Sequence, residues 1–175
     1  MEKKTIIFDL DGTLALVDKR VQKSLIPTES STDGEGMDWD IFFDGYNVLT
    51  LDEPNYPVIS MAQMYYEKGF NIVIFSGRND RSFHTTKSWL SKHRVPFHKL
   101  VMRPDKFLKL GDKIANGNPA TQDMRFMPDE ILKKKMLDAF VDIDDVFLVV
   151  DDRDKVVKMW RDLGLNTFQV APGNF

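Results

Sequence analysis

Five short runs rich in Ile, Val, Leu and Phe limit the fold more than any other feature of this chain: Thr5–Phe8, Asn71–Phe75, Lys99–Met102, Val146–Val150 and Thr167–Val170. Each has the length of a strand and little polar face to turn to water, so each is expected to be a strand covered on both sides. Helical stretches lie between them. Val156, Val157, Trp160 and Leu163 fall on one stripe, as do Val58, Ile59, Ala62, Tyr65 and Tyr66. Gly69 and Gly164 follow those stripes, where a helix ends on a left-handed residue before the next strand. Alternating strand and helix predicts an α/β fold with a mainly parallel sheet. In such sheets the site lies at the carboxyl ends of the strands.

The 175 residues, 42% of them hydrophobic, suffice for one core, so a single domain over 1–175 is expected. Two stretches interrupt the alternation. Residues 15–57 hold a polar run from Thr28 to Gly36 and then the aromatic group Trp39, Phe42, Phe43 and Tyr46; they read as a small cap insertion. Residues 104–122, with Gly111, Gly117 and Pro119, read as a second loop excursion. The absence of cysteine excludes a thiol nucleophile, a disulfide framework and a cysteine zinc site. The apolar run that ends at Phe8 is too short for a signal core, and no run reaches the length of a membrane span. A cytoplasmic location with no membrane partner is expected. Charge is uneven, with six Lys/Arg against thirteen Asp/Glu in residues 1–75 and ten against three in residues 81–125. The basic middle is either solvated surface or a face for an anionic substrate.

Three of the runs end in polar groups that carry chemistry. Ile6-Ile7-Phe8-Asp9-Leu10-Asp11-Gly12-Thr13 delivers carboxylates at i and i+2, which alternation puts on one side of the chain. Two acids so close favour a hard divalent cation with oxygen ligands. Ser76-Gly77-Arg78 closes the second run with a hydroxyl and a guanidinium, both able to bind phosphoryl oxygens. Asp151-Asp152 closes the fourth. If these ends are neighbours, Asp9, Asp11 and one or both of Asp151 and Asp152 form an oxygen cage of the kind magnesium takes. His84, His93 and His98 have no metal-ligand spacing and read as surface residues. Trp160 reads as core; Trp39, Phe42 and Phe43 read as cap packing, with nucleobase stacking as the alternative.

Asp9-Leu10-Asp11-Gly12-Thr13, the later Ser76, a lysine and the Asp151-Asp152 pair resemble the four motifs of the haloacid dehalogenase (HAD) superfamily. Within it, Asp151 to Gly164 and the tail Gln169 to Phe175 are similar to the end of the 3'-phosphatase domain of phage-type polynucleotide kinase/phosphatase. Arg20 and Ser76-Gly77-Arg78 also fall where that family has functional residues. The resemblance implies a HAD-like Rossmannoid three-layer sandwich and a Mg2+-dependent phosphatase. Asp9 is then the nucleophile and Asp11 the acid and base, with Mg2+ held by Asp9, Asp11 through its backbone carbonyl, Asp151 and Asp152. Ser76, Gly77, Arg78, Lys133 and Arg20 are implied as phosphate contacts. Asp129, Arg103 and Arg125 are expected near the substrate; Asp123, Arg125 and Asp129 precede Lys133 with stretched spacing relative to the family's lysine motif. The implied substrate is a 3'-phosphorylated end of DNA or RNA, in a bacterial cell or phage-infected host. A small-molecule phosphatase acting on nucleoside monophosphates is the alternative, and an inactive binding module a third reading. The chain has no Gly-x-x-x-x-Gly-Lys-Ser/Thr loop, so no kinase half is expected in it.

Overall fold

The structure, a computed structural model, describes residues 4–27, 35–104, 124 and 127–173. All five apolar runs are strands of one sheet: β1 (Thr5–Asp9), β2 (Asn71–Asn79), β3 (Lys99–Arg103), β4 (Val146–Asp151) and β5 (Thr167–Gln169). Their order is β3-β2-β1-β4-β5, and every neighbouring pair is parallel. The chain runs outward from β1 through β2 to β3 and then crosses back to β4. The connection therefore reverses direction between β1 and β4, where open α/β sheets form a crevice at the carboxyl end.

Side-chain alternation divides the core between two faces. Ile6, Phe8, Ile72, Ile74, Leu148 and Val150 pack against helices α1 (Tyr56–Glu67) and α2 (Phe83–Lys92), through Val58, Ile59, Ala62, Trp89 and Leu90. Ile7, Val73, Phe75, Val101 and Val149 pack against α3 (Asp129–Phe140) and α4 (Asp154–Asp162), through Leu132, Met136, Leu137, Val156 and Trp160. The architecture is the expected three-layer α/β sandwich.

Residues 15–57 leave and rejoin this scaffold at one place. Ala15 pairs with Pro54 and Leu16 with Glu53 in a two-residue antiparallel neck. Between them lie helices Asp18–Ser24, Trp39–Phe42 and Gly45–Leu51 and the short strand pair Leu25–Pro27 with Glu35–Met37. The Gly45–Leu51 helix packs on α2. The rings of Trp39, Phe42 and Phe43 contact one another, with Phe42 buried and Trp39 exposed. The second expected excursion lies outside the described residues beyond Pro104. Among the described residues no helix is long and apolar enough to cross a membrane.

Ile7 is the β1 side chain that packs on the α3/α4 layer. Ile7→Ala is expected to lower the unfolding free energy by about 2–5 kcal/mol, the cost of a buried cavity, in urea denaturation. A loss below about 1 kcal/mol would contradict the packing of that layer.

Candidate active site

The ends of β1, β2 and β4 are adjacent, so Asp9, Ser76 and Asp151 emerge side by side. The chain after Asp9 turns at once: Gly12 donates to Ala15 O at 2.8 Å and Thr13 to Leu10 O at 3.3 Å. Gly12 has φ +86°, and a Cβ on it would lie 2.0 Å from Asp152 Oδ2. Only glycine lets the carboxylate of Asp152 come down over this turn. Thr13 Oγ1 donates to Asp152 Oδ1 at 3.4 Å.

Asp9, Asp151 and Asp152 are buried, and one oxygen of each lies within 4.8 Å of the others. A single ammonium serves two of them. Lys133, on α3, donates to Asp9 Oδ1 at 2.6 Å and to Asp151 Oδ2 at 2.8 Å. Burial would favour the neutral amine, but the charges of Asp151, Asp9 and Asp129 outweigh it and hold Lys133 protonated. Burial also raises the Asp9 carboxyl well above the usual range; Lys133 opposes this, and Asp151 and Asp152 add to it. Asp152 is pushed up to about 6 by burial and by the charge of Asp151. Three crowded carboxylates with one cation form an oxygen-rich site of excess negative charge, which suits a hard divalent ion. The residues present therefore fit Mg2+.

Asp151 and Asp152 are not equivalent. Asp151 accepts Lys133 and the Trp160 indole N–H, at 3.2 Å, on Oδ2, and the backbone N–H groups of Asp152 and Arg153 on Oδ1. Asp152 receives only the long Thr13 bond among the side-chain contacts described.

Asp11 occupies a second network. Its carboxylate is not in the three-acid group; it is held by two fully buried guanidiniums. Arg20 Nη2 donates to Asp11 Oδ1 at 2.7 Å, and Arg78 Nε donates to both Asp11 oxygens at 2.8 and 3.0 Å. The same arginines share Asp52, whose side chain is fully buried: Arg20 Nε lies 2.7 Å from Oδ1, and Arg78 Nη2 bonds Oδ2. Arg20 also donates to Phe42 O at 3.0 Å and lies 4.1 Å over the Phe42 ring; Arg78 reaches Thr86 Oγ1 at 3.2 Å. Arg20 and Arg78 thus both meet carboxylates. The reason is burial, because a guanidinium out of water needs a fixed anion. Asp52 was missed in the sequence, where it is one acid before Glu53 with no motif around it.

Arg103 stands apart from both networks. Buried, it donates to Gly77 O at 2.9 Å, Met124 O at 2.6 Å and Met127 O at 2.7 Å, and pairs with Asp129. It clamps backbone to backbone. Asp129, one turn before Lys133, also accepts Arg153. A Cβ on Gly77 would stand 2.8 Å from Asp129 Oδ1, so this glycine lets the acid lie against the loop after β2. Ser76 is buried, and its Oγ accepts Arg78 N at 3.1 Å. Asp123 and Arg125 lie outside the described residues.

The fold and this site together define a phosphatase of the HAD type. A family model for the polynucleotide kinase PNKP phosphatase domain matches residues 41–175, and the chain belongs to that family. A protein of Autographa californica nuclear polyhedrosis virus, assigned as a bifunctional polynucleotide kinase/RNA ligase, is 29% identical over 168 residues; these are 94% of this chain and 19% of that protein. A chain in the Pnkp1/Rnl/Hen1 RNA repair complex is 28% identical with a TM-score of 0.68, over 99% of this chain and 44% of that one. The chain thus spans less than half the length of these relatives. CbbY of Rhodobacter sphaeroides, in complex with phosphate, shares the fold at 8% identity, with a TM-score of 0.60 over 99% of this chain and 87% of its own.

The arginine pair fixes the protonation of Asp11. Burial alone would raise its carboxyl, but the charges of Arg20 and then Arg78 overcome this and lower it to about 2 from 3.8. A depressed folded value stabilises the protein above the unfolded value, and the benefit is lost as pH falls toward 2. The shift corresponds to about 2 kcal/mol at neutral pH, of which about 1 kcal/mol is gone by pH 3. Urea denaturation of wild type and Asp11→Asn should show the gap between them narrowing by that amount from pH 6 to pH 3. A constant gap would contradict the ion network.

Proposed function

We propose that this protein is a Mg2+-dependent phosphomonoesterase that works through an aspartyl phosphate on Asp9 and removes 3'-phosphate from polynucleotide ends. The observation that carries the chemistry is the buried group of Asp9, Asp151, Asp152 and Lys133 at the carboxyl end of the sheet. The substrate is supported by the family and by the likeness to a chain of an RNA repair complex.

In this reading Asp9 attacks phosphorus in line, and the leaving oxygen departs on the side of Asp11. The arginines hold Asp11 ionised in the free protein, so the proton that it passes to the leaving oxygen arrives with the monoanionic phosphate ester. Asp11 then takes a proton from the water that hydrolyses the aspartyl phosphate and passes it to the departing phosphate, which leaves as the monoanion, so Asp11 is ionised again. Lys133 balances charge on Asp9, and Ser76 with the backbone of Gly77 faces the phosphoryl oxygens. Asp9, Asp152 and the backbone carbonyl of Asp11 would hold Mg2+, which supplies charge neutralisation for the transferring group. Asp151, already surrounded by protein donors, orients Lys133. Arg20, Arg78 and Asp52 position Asp11, and the insertion at 15–57 serves as a small cap.

Asp9→Asn should fold normally and release no phosphate, since an amide neither attacks phosphorus nor carries the anionic ligand. Near-normal turnover in that variant would end the nucleophile assignment. Activity should vanish on chelation and return with Mg2+. Asp152→Asn should need about tenfold or more Mg2+ for half-maximal rate, from loss of a direct anionic ligand. Wild-type metal response in Asp152→Asn would remove it from the site.

The substrate is tested by comparing kcat/KM on a 3'-phosphorylated oligonucleotide and on a 3'-mononucleotide across salt. Phosphate contacts along a strand give a slope of about 0.7 per neutralised phosphate, which a mononucleotide lacks. Equal slopes on the two would favour a small-molecule phosphatase.

A further inference from the structure

Trp160 occupies the core stripe of α4 and is fully buried, with its ring 6.5 Å from that of Phe75 at 30°. A buried indole needs one acceptor for its N–H, and a backbone carbonyl would do. Here the acceptor is Asp151 Oδ2, at 3.2 Å. The same oxygen accepts Lys133 Nζ at 2.8 Å, and the same ammonium donates to Asp9 Oδ1 at 2.6 Å. An unbroken series of hydrogen bonds therefore runs from the hydrophobic core to the proposed nucleophile.

We infer that Trp160 is a positioning residue for the reaction: its indole N–H, acting through Asp151, fixes Lys133 against Asp9. The terminal torsion of an aspartate is broad, so a carboxylate held at one oxygen can still turn. Asp151 Oδ1 is held by the N–H groups of Asp152 at 3.0 Å and Arg153 at 3.4 Å. Trp160 holds the other oxygen. Lysine is a point charge on a flexible four-carbon stem, and its position follows the anions around it. With the indole bond removed, Oδ2 keeps only its bond to Lys133, and carboxylate and ammonium can shift together, away from Asp9. Sequence periodicity marks Trp160 as core and gives no sign of this second task, because the stripe records where the ring packs and not where its N–H points.

The inference rests on the reading of Asp9 as nucleophile, and the experiment separates the two. Trp160→Phe keeps an aromatic ring and drops the N–H. A second variant places the benzothienyl analogue of tryptophan at position 160, with sulfur in place of N–H at nearly the same volume. With an aryl phosphate as substrate, both should lose kcat by about tenfold to a hundredfold, the usual effect of removing an orienting hydrogen bond behind a reacting group, with KM changed by less than about threefold. Only Trp160→Phe should also lose thermal stability, since only it leaves a cavity. A readout independent of turnover is the indole 1H–15N resonance of Trp160 in metal-free protein. It should move on Lys133→Met, which removes the other donor to Oδ2, while that of Trp39 stays put. Wild-type kcat in the benzothienyl variant, or an indole resonance indifferent to Lys133→Met, overturns the inference. Turnover in Asp9→Asn would instead overturn the nucleophile reading beneath it.

Discussion

Like charge has to be held together at the end of β1, and the surrounding structure is arranged around that need. Asp9 and Asp151 end two adjacent parallel strands and Asp152 follows directly, so strand pairing brings the three acids together. Taken out of water they repel one another far more strongly than they would at a surface. Lys133 answers part of this repulsion, and to reach it α3 must cross the lower face of the sheet at one particular height. Arg103 sets that height by tying the start of α3 to the loop after β2, through Gly77, Met124, Met127 and Asp129. The charge that Lys133 leaves unbalanced is what makes the group hospitable to a divalent cation.

The second network solves a different problem. Asp11 and Asp52 face Arg20 and Arg78, two anions against two cations, so it is close to neutral by itself and has no surplus to offer a metal. Its members come from the turn after β1, from both ends of the insertion and from the end of β2. The insertion is therefore fastened to the site by charge as well as by packing. Buried ion networks of this kind add little to net stability but specify one geometry, because removing any member leaves an uncompensated charge. Two neighbouring aspartates in one motif, Asp9 and Asp11, are thereby given opposite surroundings, one anion-rich and one cation-rich.

Much of this was legible in the sequence. The five strands were, since a buried parallel strand is nearly uniform in hydrophobicity and each ends where a polar residue begins. Helix α1 and helix α4 were also legible through their stripes. Helices α2 and α3 were not singled out, although Thr86, Trp89 and Leu90 on the one and Leu132, Met136 and Leu137 on the other stand at helical spacing; the stripes are short, and α3 carries Lys133, Lys134 and Lys135 through its middle. The residues of the three-acid group could be named from strand ends alone. Partners could not. Nothing local to Arg20 says that it meets an acid 32 residues on, nor does Asp52 carry a motif. Charge pairing over such distances depends on how the insertion folds back, which is a property of the tertiary structure.

The neck at Ala15–Leu16 and Glu53–Pro54 has a consequence of its own. It brings the two ends of residues 15–57 to adjacent points, so the sheet meets this segment as it would meet a short turn. The entropy of closing such a loop rises only with the logarithm of its length. Length inside the neck is therefore thermodynamically almost neutral to the scaffold, provided that one arginine and one aspartate still return to the same two places. The arrangement is a socket: the neck fixes where the segment is seated, and the scaffold sets no length for what lies inside it.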